Sequence, residues 1–290
     1  MSNELNCTPN NSQLGVSLVA YHNLMKTTQS ARVQFFKIGP GLGKSRVTLA
    51  TVTLLRQKDP SYNKIYVWFH HRSALKAETK RFDILQRSMP HCKVKQTLNL
   101  QAKSVEIDEK TIVIIDEADD YIIDRRLPIP EKARVLCLSA TDFGRVDSKE
   151  QEYIKFLKLT VTDSKIPNPL DSDDPPTKVD DYAEFFERAK HYPSKIIYLD
   201  VSDVHKVNRY AKAVGYHENE IKHNCEDPEI YKQVGHRVLL IYGEIGLTRG
   251  IDYRNKAGIA SLIAHPFPNR RGYIQFNGRV GRNGERKHRF

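Results

Sequence analysis

Seven short apolar runs, at residues 33–38, 65–69, 111–115, 135–139, 195–201, 238–242 and 259–264, recur along the chain. Each is rich in β-branched or aromatic residues and is apolar at consecutive positions, not alternate ones. A strand of that kind must be covered on both faces, as it is inside a parallel sheet. Helix-like stretches lie between several of them, at 44–57, 73–87, 182–190 and 204–214. Strand–helix alternation predicts an α/β fold, with helices on both faces of mostly parallel sheets. A length of 290 residues suits about two domains. Segment 163–181 holds four prolines and a cluster of aspartates, with little that could pack. The strand–helix pattern restarts after it. The expected organisation is therefore a first domain over 1–162, a linker over 163–181 and a second domain over 182–290.

Composition narrows the function classes. Hydrophobic residues make up 39% and charged residues 28%, which is too apolar for a disordered chain. No run approaches the roughly 20 apolar residues of a membrane-spanning helix, so no membrane partner is expected. The opening MSNELNCTPNNSQ has neither a basic start nor an apolar centre, so no secretory leader is expected. Cys7, Cys92, Cys137 and Cys225 are scattered and form no C-x-x-C pair, which fits a reducing, cytoplasmic setting. His217, His223, Cys225 and His236 offer no compact ligand spacing, and no zinc site is expected. Trp68 lies in an apolar run and reads as core. The 46 Lys+Arg against 35 Asp+Glu give a net charge of +11, which favours a polyanionic partner, nucleic acid before membrane.

The chemistry concentrates at strand ends. The first run leads into Gly39-Pro40-Gly41-Leu42-Gly43-Lys44-Ser45 and then a helical stretch. Glycines let backbone N–H groups turn toward phosphate oxygens, and the helix N-terminus adds its positive end. Lys44 can reach the β- and γ-phosphates, and the Ser45 hydroxyl can bind Mg²⁺. The full phosphate-loop spacing places a glycine at position 38, where this chain has Ile38. The run 111–115 ends in Asp116-Glu117-Ala118-Asp119. A carboxylate at the end of a buried strand beside a phosphate loop can hold Mg²⁺, here Asp116. The adjacent Glu117 can orient and deprotonate a water.

Taken with Ser139-Ala140-Thr141, these segments resemble motifs I, II and III of superfamily 2 helicases, in order. Phe69-His70-His71-Arg72-Ser73-Ala74-Leu75 stands where that superfamily carries motif Ia. Leu247-Thr248-Arg249-Gly250-Ile251-Asp252 resembles motif V. Gln275-Phe276-Asn277-Gly278-Arg279-Val280-Gly281-Arg282 resembles motif VI, Q-x-x-G-R-x-G-R. The segment before the phosphate loop lacks the aromatic-plus-glutamine motif of the DEAD-box family proper. The Gly-Arg-Val-Gly-Arg-Asn run and short domains are more similar to helicases of positive-strand RNA virus polyproteins, of flavivirus and potyvirus type.

The resemblance implies two tandem RecA-like domains with ATP in the interdomain cleft. Gly39, Gly41, Gly43, Lys44 and Ser45 would bind the nucleotide, with Gly250 and Asp252 contributing from motif V. Ser45 and Asp116 would hold Mg²⁺. Lys44, Glu117, Gln275, Arg279 and Arg282 would be catalytic, the arginines as fingers on the γ-phosphate. Asp119, Ser139 and Thr141 would couple the ATP site to the nucleic-acid site. His70, Arg72 and Ser73 would contact the strand. Motif V departs from the family in having Gly243-Glu244 upstream, where Thr-Asp is frequent. Arg286, Lys287 and Arg289 read as a basic tail.

The expected activity is that of an ATP-dependent RNA helicase or translocase, with single-stranded or overhang-containing RNA as partner and DNA as the other candidate. Weak unwinding by this chain would call for oligomers or a protein partner that supplies a wedge. For a viral protein the setting is the host cytoplasm. The same motifs serve a nucleic-acid-stimulated ATPase that remodels or clamps RNA–protein complexes without processive unwinding. A non-catalytic clamp would not need Lys44, Glu117 and Arg282 together, and a small-molecule kinase would not need motifs III, V and VI.

Overall fold

A computed structural model describes residues 9–26, 33–39, 43–69, 93–98, 105–123, 127, 129–141, 148–163, 176–225, 237–243, 257–267, 270–278 and 287–290. It also describes residues 75, 78–79, 82–83, 86–87, 253, 255 and 280. The chain divides into two compact units, Met1–Asn168 and Pro169–Phe290.

In the first unit, helix α1 (Asn11–Lys26) precedes strand β1 (Val33–Lys37) and helix α2 (Lys44–Lys58). There follow β2 (Lys64–Trp68), β3 (Lys93–Thr97), β4 (Thr111–Asp116), α3 (Ala118–Ile123), β5 (Arg134–Ser139), α4 (Ser148–Phe156) and β6 (Thr160–Asp163). The strands form one sheet in the order β3-β2-β4-β5-β1-β6, and every pairing is parallel. Side chains alternate between its faces. Phe36, Ile65, Val67, Ile112, Ile114, Leu136 and Leu138 point to the face covered by α1 and α2. Phe35, Tyr66, Trp68, Val113, Ile115, Val135 and Cys137 point to the face covered by α3 and α4. Burial pushes the Cys137 thiol far up from its ordinary range, so it packs as a small apolar side chain.

The second unit runs α5 (Tyr182–Arg188), β7 (Ser194–Tyr198), α6 (Val204–Ala213), β8 (Ile221–His223), β9 (Val238–Tyr242), β10 (Ile259–Ile263), α7 (Arg270–Asn277) and β11 (Lys287–Arg289). Its sheet has the order β11-β10-β7-β9-β8, again parallel throughout. Ile197, Leu199, Leu239 and Ile241 pack with Phe185 of α5 and Val207 of α6 on one face. Ile196, Tyr198, Leu240 and Tyr242 pack with Phe276 of α7 on the other. Among the described residues no helix is long and apolar enough to cross a membrane.

The seven apolar runs are the seven interior strands of the two sheets. The four strands that escaped them, β3, β6, β8 and β11, are the four sheet edges. An edge strand has one covered flank and carries polar residues, as in Lys93-Val94-Lys95-Gln96-Thr97.

One expectation changes. Residues 287–289 do not form a basic tail. They pair in parallel with β10, and Phe290 packs edge-on against Phe185 with ring centroids 5.3 Å apart. The alternation Lys287, His288, Arg289, Phe290 is that of a strand, and the apolar Phe290 anchors it. The end of the predicted linker is also structured. The Thr177 backbone N–H donates to the Arg289 carbonyl at 2.9 Å, and Asp181 caps α5 by accepting from the Glu184 N–H at 2.8 Å.

Candidate nucleotide-binding site

Register brings the chemistry of the first unit to one sheet edge. Strand β5 lies between β1 and β4, with Lys37 opposite Ser139 and Asp116 opposite Leu138. The segments that follow β1, β4 and β5 therefore leave the sheet at the same level, although they are far apart in sequence. This is the C-terminal edge of a parallel sheet, where α/β proteins build their sites.

Gly43 is the hinge between loop and helix. Its φ of +84° lies in the left-handed region, which favours glycine. A Cβ there would also collide with the Gln13 side chain. The first turn of α2 carries no acidic residue of its own, and the positive end of a helix favours an anion.

Lys44, the first residue of α2, donates from Nζ to Glu117 Oε1 at 3.0 Å. Both side chains are largely buried, 14% and 6% exposed. Glu117 has a φ of +53°, a conformation that costs about 1–3 kcal/mol for a non-glycine residue and concentrates at functional sites. Asp119 is fully buried. It accepts from Ser139 Oγ at 2.5 Å and from Thr141 Oγ1 at 2.7 Å. The Thr141 N–H donates to Ser139 Oγ at 3.2 Å. Buried polar groups must be satisfied, and here one carboxylate satisfies two hydroxyls from another strand end. Ser45 Oγ donates to Glu78 Oε1 at 2.9 Å.

The donor set fits Mg²⁺. Ser45 and Asp116 offer hard oxygens at the sheet edge. Mg²⁺ beside phosphates takes one or two side chains and draws the rest of its ligands from phosphate and water. Among the described residues no group of three or more His, Cys, Asp and Glu side chains is placed to hold a metal.

Of the residues predicted from sequence, Gly39, Gly43, Lys44, Ser45, Asp116, Glu117, Asp119, Ser139 and Thr141 are described, all in the first unit. Gly41, His70, Arg72, Ser73, Gly250, Asp252, Arg279 and Arg282 lie outside the described residues, as does the side chain of Gln275, which stands on α7. Sequence reading missed two residues. Gln13 packs against Gly43, and its helix is fastened to α2 by Ser17, whose Oγ donates to the carbonyls of Gln13 and Val47 at 2.7 and 3.3 Å. The available signal was the reciprocal cap of α1. The Asn10 N–H donates to Gln13 Oε1 and the Gln13 N–H to Asn10 Oδ1, the pattern of a capping box. Glu78 gave no signal, because its bond to Ser45 spans 33 residues.

No protein-family model matches the chain, and no curated protein matches it in sequence. Solved structures do match its fold. A variant of S. cerevisiae Dbp5 bound to Gle1 and IP6 has a TM-score of 0.56 at 15% identity, over 97% of this chain and 87% of that one. The DEAD-box helicase Mss116 bound to ssRNA and UDP-BeF has a TM-score of 0.58 at 15% identity, over 94% of this chain and 68% of that one. The helicase MrfA bound to DNA has a TM-score of 0.56 at 12% identity, over 97% of this chain and 50% of that one. The fold is thus the one these structures share, two RecA-like α/β units in tandem, each built on a parallel sheet flanked by helices.

Proposed function

We propose that the chain is a nucleic-acid-stimulated ATPase of superfamily 2 that works on RNA as a helicase or translocase. The observation that carries this reading is the Lys44–Glu117 ion pair. It joins the phosphate loop after β1 to the acid after β4, and both are the residue types that phosphoryl transfer to water needs.

The chain's own groups then have distinct tasks. The Gly43 turn and the N-terminus of α2 bind the phosphates. Lys44 exchanges the Glu117 carboxylate for phosphate oxygens, and Glu117, released, takes a proton from the attacking water. Ser45 and Asp116 would hold Mg²⁺, which would supply charge neutralisation for the phosphate oxygens when bound. Arg279 and Arg282 from the second unit stabilise the transferring phosphoryl group, with Gln275 beside it, and Gly250 and Asp252 complete the nucleotide site. Asp119, tied to Ser139 and Thr141, passes the state of the acidic turn to the end of β5. Arg72, Ser73 and His70 hold the strand through its phosphates, which gives affinity without sequence preference and a steep dependence on salt.

This reading assigns motifs I to III to the domain 1–162 and motifs V and VI to the domain 182–290, joined by 163–181. Structures similar in fold are bound to ssRNA or DNA, which supports a nucleic-acid partner. The motif VI sequence supports a virus-encoded protein working in a host cytoplasm.

Steady-state hydrolysis by Lys44→Ala, beside its thermal melt, tests the site. The expected result is loss of most turnover in a variant that still melts cooperatively, at a lower temperature because the buried Glu117 carboxylate loses its partner. Near-normal turnover in the folded variant would remove Lys44, and with it the site, from the account.

A further inference from the structure

The Ser45–Glu78 bond has no place in the chemistry described above. Two other hydroxyls on α2 bond in the ordinary helical way. Thr48 Oγ1 donates to the Lys44 carbonyl at 3.0 Å, and Thr53 Oγ1 to the Leu49 carbonyl at 2.9 Å, each one turn back. Ser45 instead donates to a carboxylate from a distant segment, Oγ to Oε1 at 2.9 Å.

Glu78 is fixed from behind. Residues 75, 78–79, 82–83 and 86–87 are helical, and Thr79 Oγ1 donates to the Leu75 carbonyl at 2.7 Å. Leu75 and Phe82 both pack into the core on the α1–α2 face of the sheet, and Phe82 meets Phe69 edge-on at 6.2 Å. Glu78 lies between these two anchored residues in sequence, and its carboxylate meets Ser45 in the first turn of α2.

A serine hydroxyl has one hydrogen and two lone pairs. With the hydrogen committed to Glu78, the lone pairs face elsewhere and are available to a cation. An oxygen that donates its hydrogen to a carboxylate is also a better electron donor. These are the effects by which an outer carboxylate orients and strengthens a metal ligand.

We propose that Glu78 is a positioning residue for Mg²⁺: it takes the Ser45 hydrogen and presents Oγ to the cation. The proposal rests on the ATP-site reading and assigns to this chain a determinant of metal affinity that lies outside the motif residues. It differs from a role in helix capping. A capping carboxylate at the N-terminus of α2 would support the helix and nucleotide binding equally with and without metal. A positioning carboxylate acts only when Mg²⁺ is present. Without Mg²⁺ its charge opposes the phosphates.

The test is a Mg²⁺ titration of methylanthraniloyl-ADP binding to the full chain, followed by fluorescence, for wild type, Glu78→Ala and Glu78→Gln. Parallel titrations are made in EDTA, and melting temperatures are recorded. Glu78→Ala is expected to raise the half-saturating Mg²⁺ concentration about 10- to 100-fold, with nucleotide affinity in EDTA unchanged or tighter. Glu78→Gln keeps an acceptor oxygen without the charge, so it should lie between the two. Identical Mg²⁺ dependence in all three proteins would overturn the proposal, as would an equal loss of affinity with and without metal. If wild type binds no nucleotide under either condition, the ATP-site reading itself fails, and Glu78 falls with it.

Discussion

The C-terminal edges of the two sheets handle polar groups in different ways. In the first unit the groups are buried and reach across strands. Glu117, Asp119, Ser139 and Thr141 are 5%, 0%, 0% and 3% exposed, and they bond to partners from other strand ends. In the second unit several described polar groups at that edge close turns or pair in solvent. Asp200 accepts from the Ser202 N–H at 2.9 Å, Asn224 accepts from the Gly243 N–H at 3.2 Å, and His265 stands 3.9 Å from Asp200 with both side chains about half exposed. The cores differ too. Aliphatic side chains dominate the first unit, whereas Tyr182, Phe185, Phe186, Tyr192, Tyr216 and Phe290 build one face of the second. Two all-parallel sheets thus differ in how the described polar groups at their strand ends are matched. What distinguishes them is the polar network at the strand ends, because buried polar groups are costly unless matched and stability alone does not require them.

The largest expected effect tests whether the second unit is only a scaffold. Arg279→Ala and Arg282→Ala should each lower turnover on the order of 10³-fold, with nucleotide binding largely kept. Unchanged turnover with weakened RNA binding would leave the hydrolytic chemistry in the first unit alone.

Glu117→Gln sharpens the comparison from the other side. It keeps the shape of the acidic turn but removes the base, so turnover should fall about 100-fold or more while ATP binding survives. Binding and hydrolysis lost together would make Glu117 a structural or metal residue.

Asp119→Ala strands two hydroxyls. Ser139 and Thr141 would lose their acceptor in a dry site, at about 1–3 kcal/mol for each group left unsatisfied. Urea unfolding should show that loss. An unchanged midpoint would mean the network contributes nothing to stability.

The smallest effect belongs to the second unit. Lys195 is 4% exposed, and its Nζ donates to the Tyr192 carbonyl at 2.7 Å. Burial, with the nearby Arg237 cation, lowers its pKa from 10.5 to about 8. Between those values the unfolded chain holds the proton and the folded chain does not, so this group makes stability rise with pH across that window. Lys195→Met should flatten that rise and stabilise the protein near neutral pH. A rise of the same size in the variant would assign it to other groups.

The same physics explains what could be read in advance. Interior strands need apolar residues on both faces, and every one of them stood out as an apolar run. Edge strands do not, and Lys93–Thr97 and Lys287–Arg289 passed for polar sequence. Helix α1 was hidden because its apolar residues surround it. Val16, Ala20 and Leu24 face the core, while Leu14, Leu18 and Val19 are exposed, which blurs the helical period. In the site, Lys44, Glu117 and Ser139 were legible because each sits in a contiguous motif at a strand end. Gln13 and Glu78 were not, because only the packing of α1 and of the Leu75–Phe82 segment brings them to the phosphate loop.

ATP hydrolysis by the full chain, measured alone and with single-stranded RNA or single-stranded DNA of equal length at low salt, is the most direct test. The expected result is slow hydrolysis alone, clear stimulation by RNA, and loss of the stimulation as salt is raised. Hydrolysis that no nucleic acid changes, or none under any condition, would contradict the proposed function.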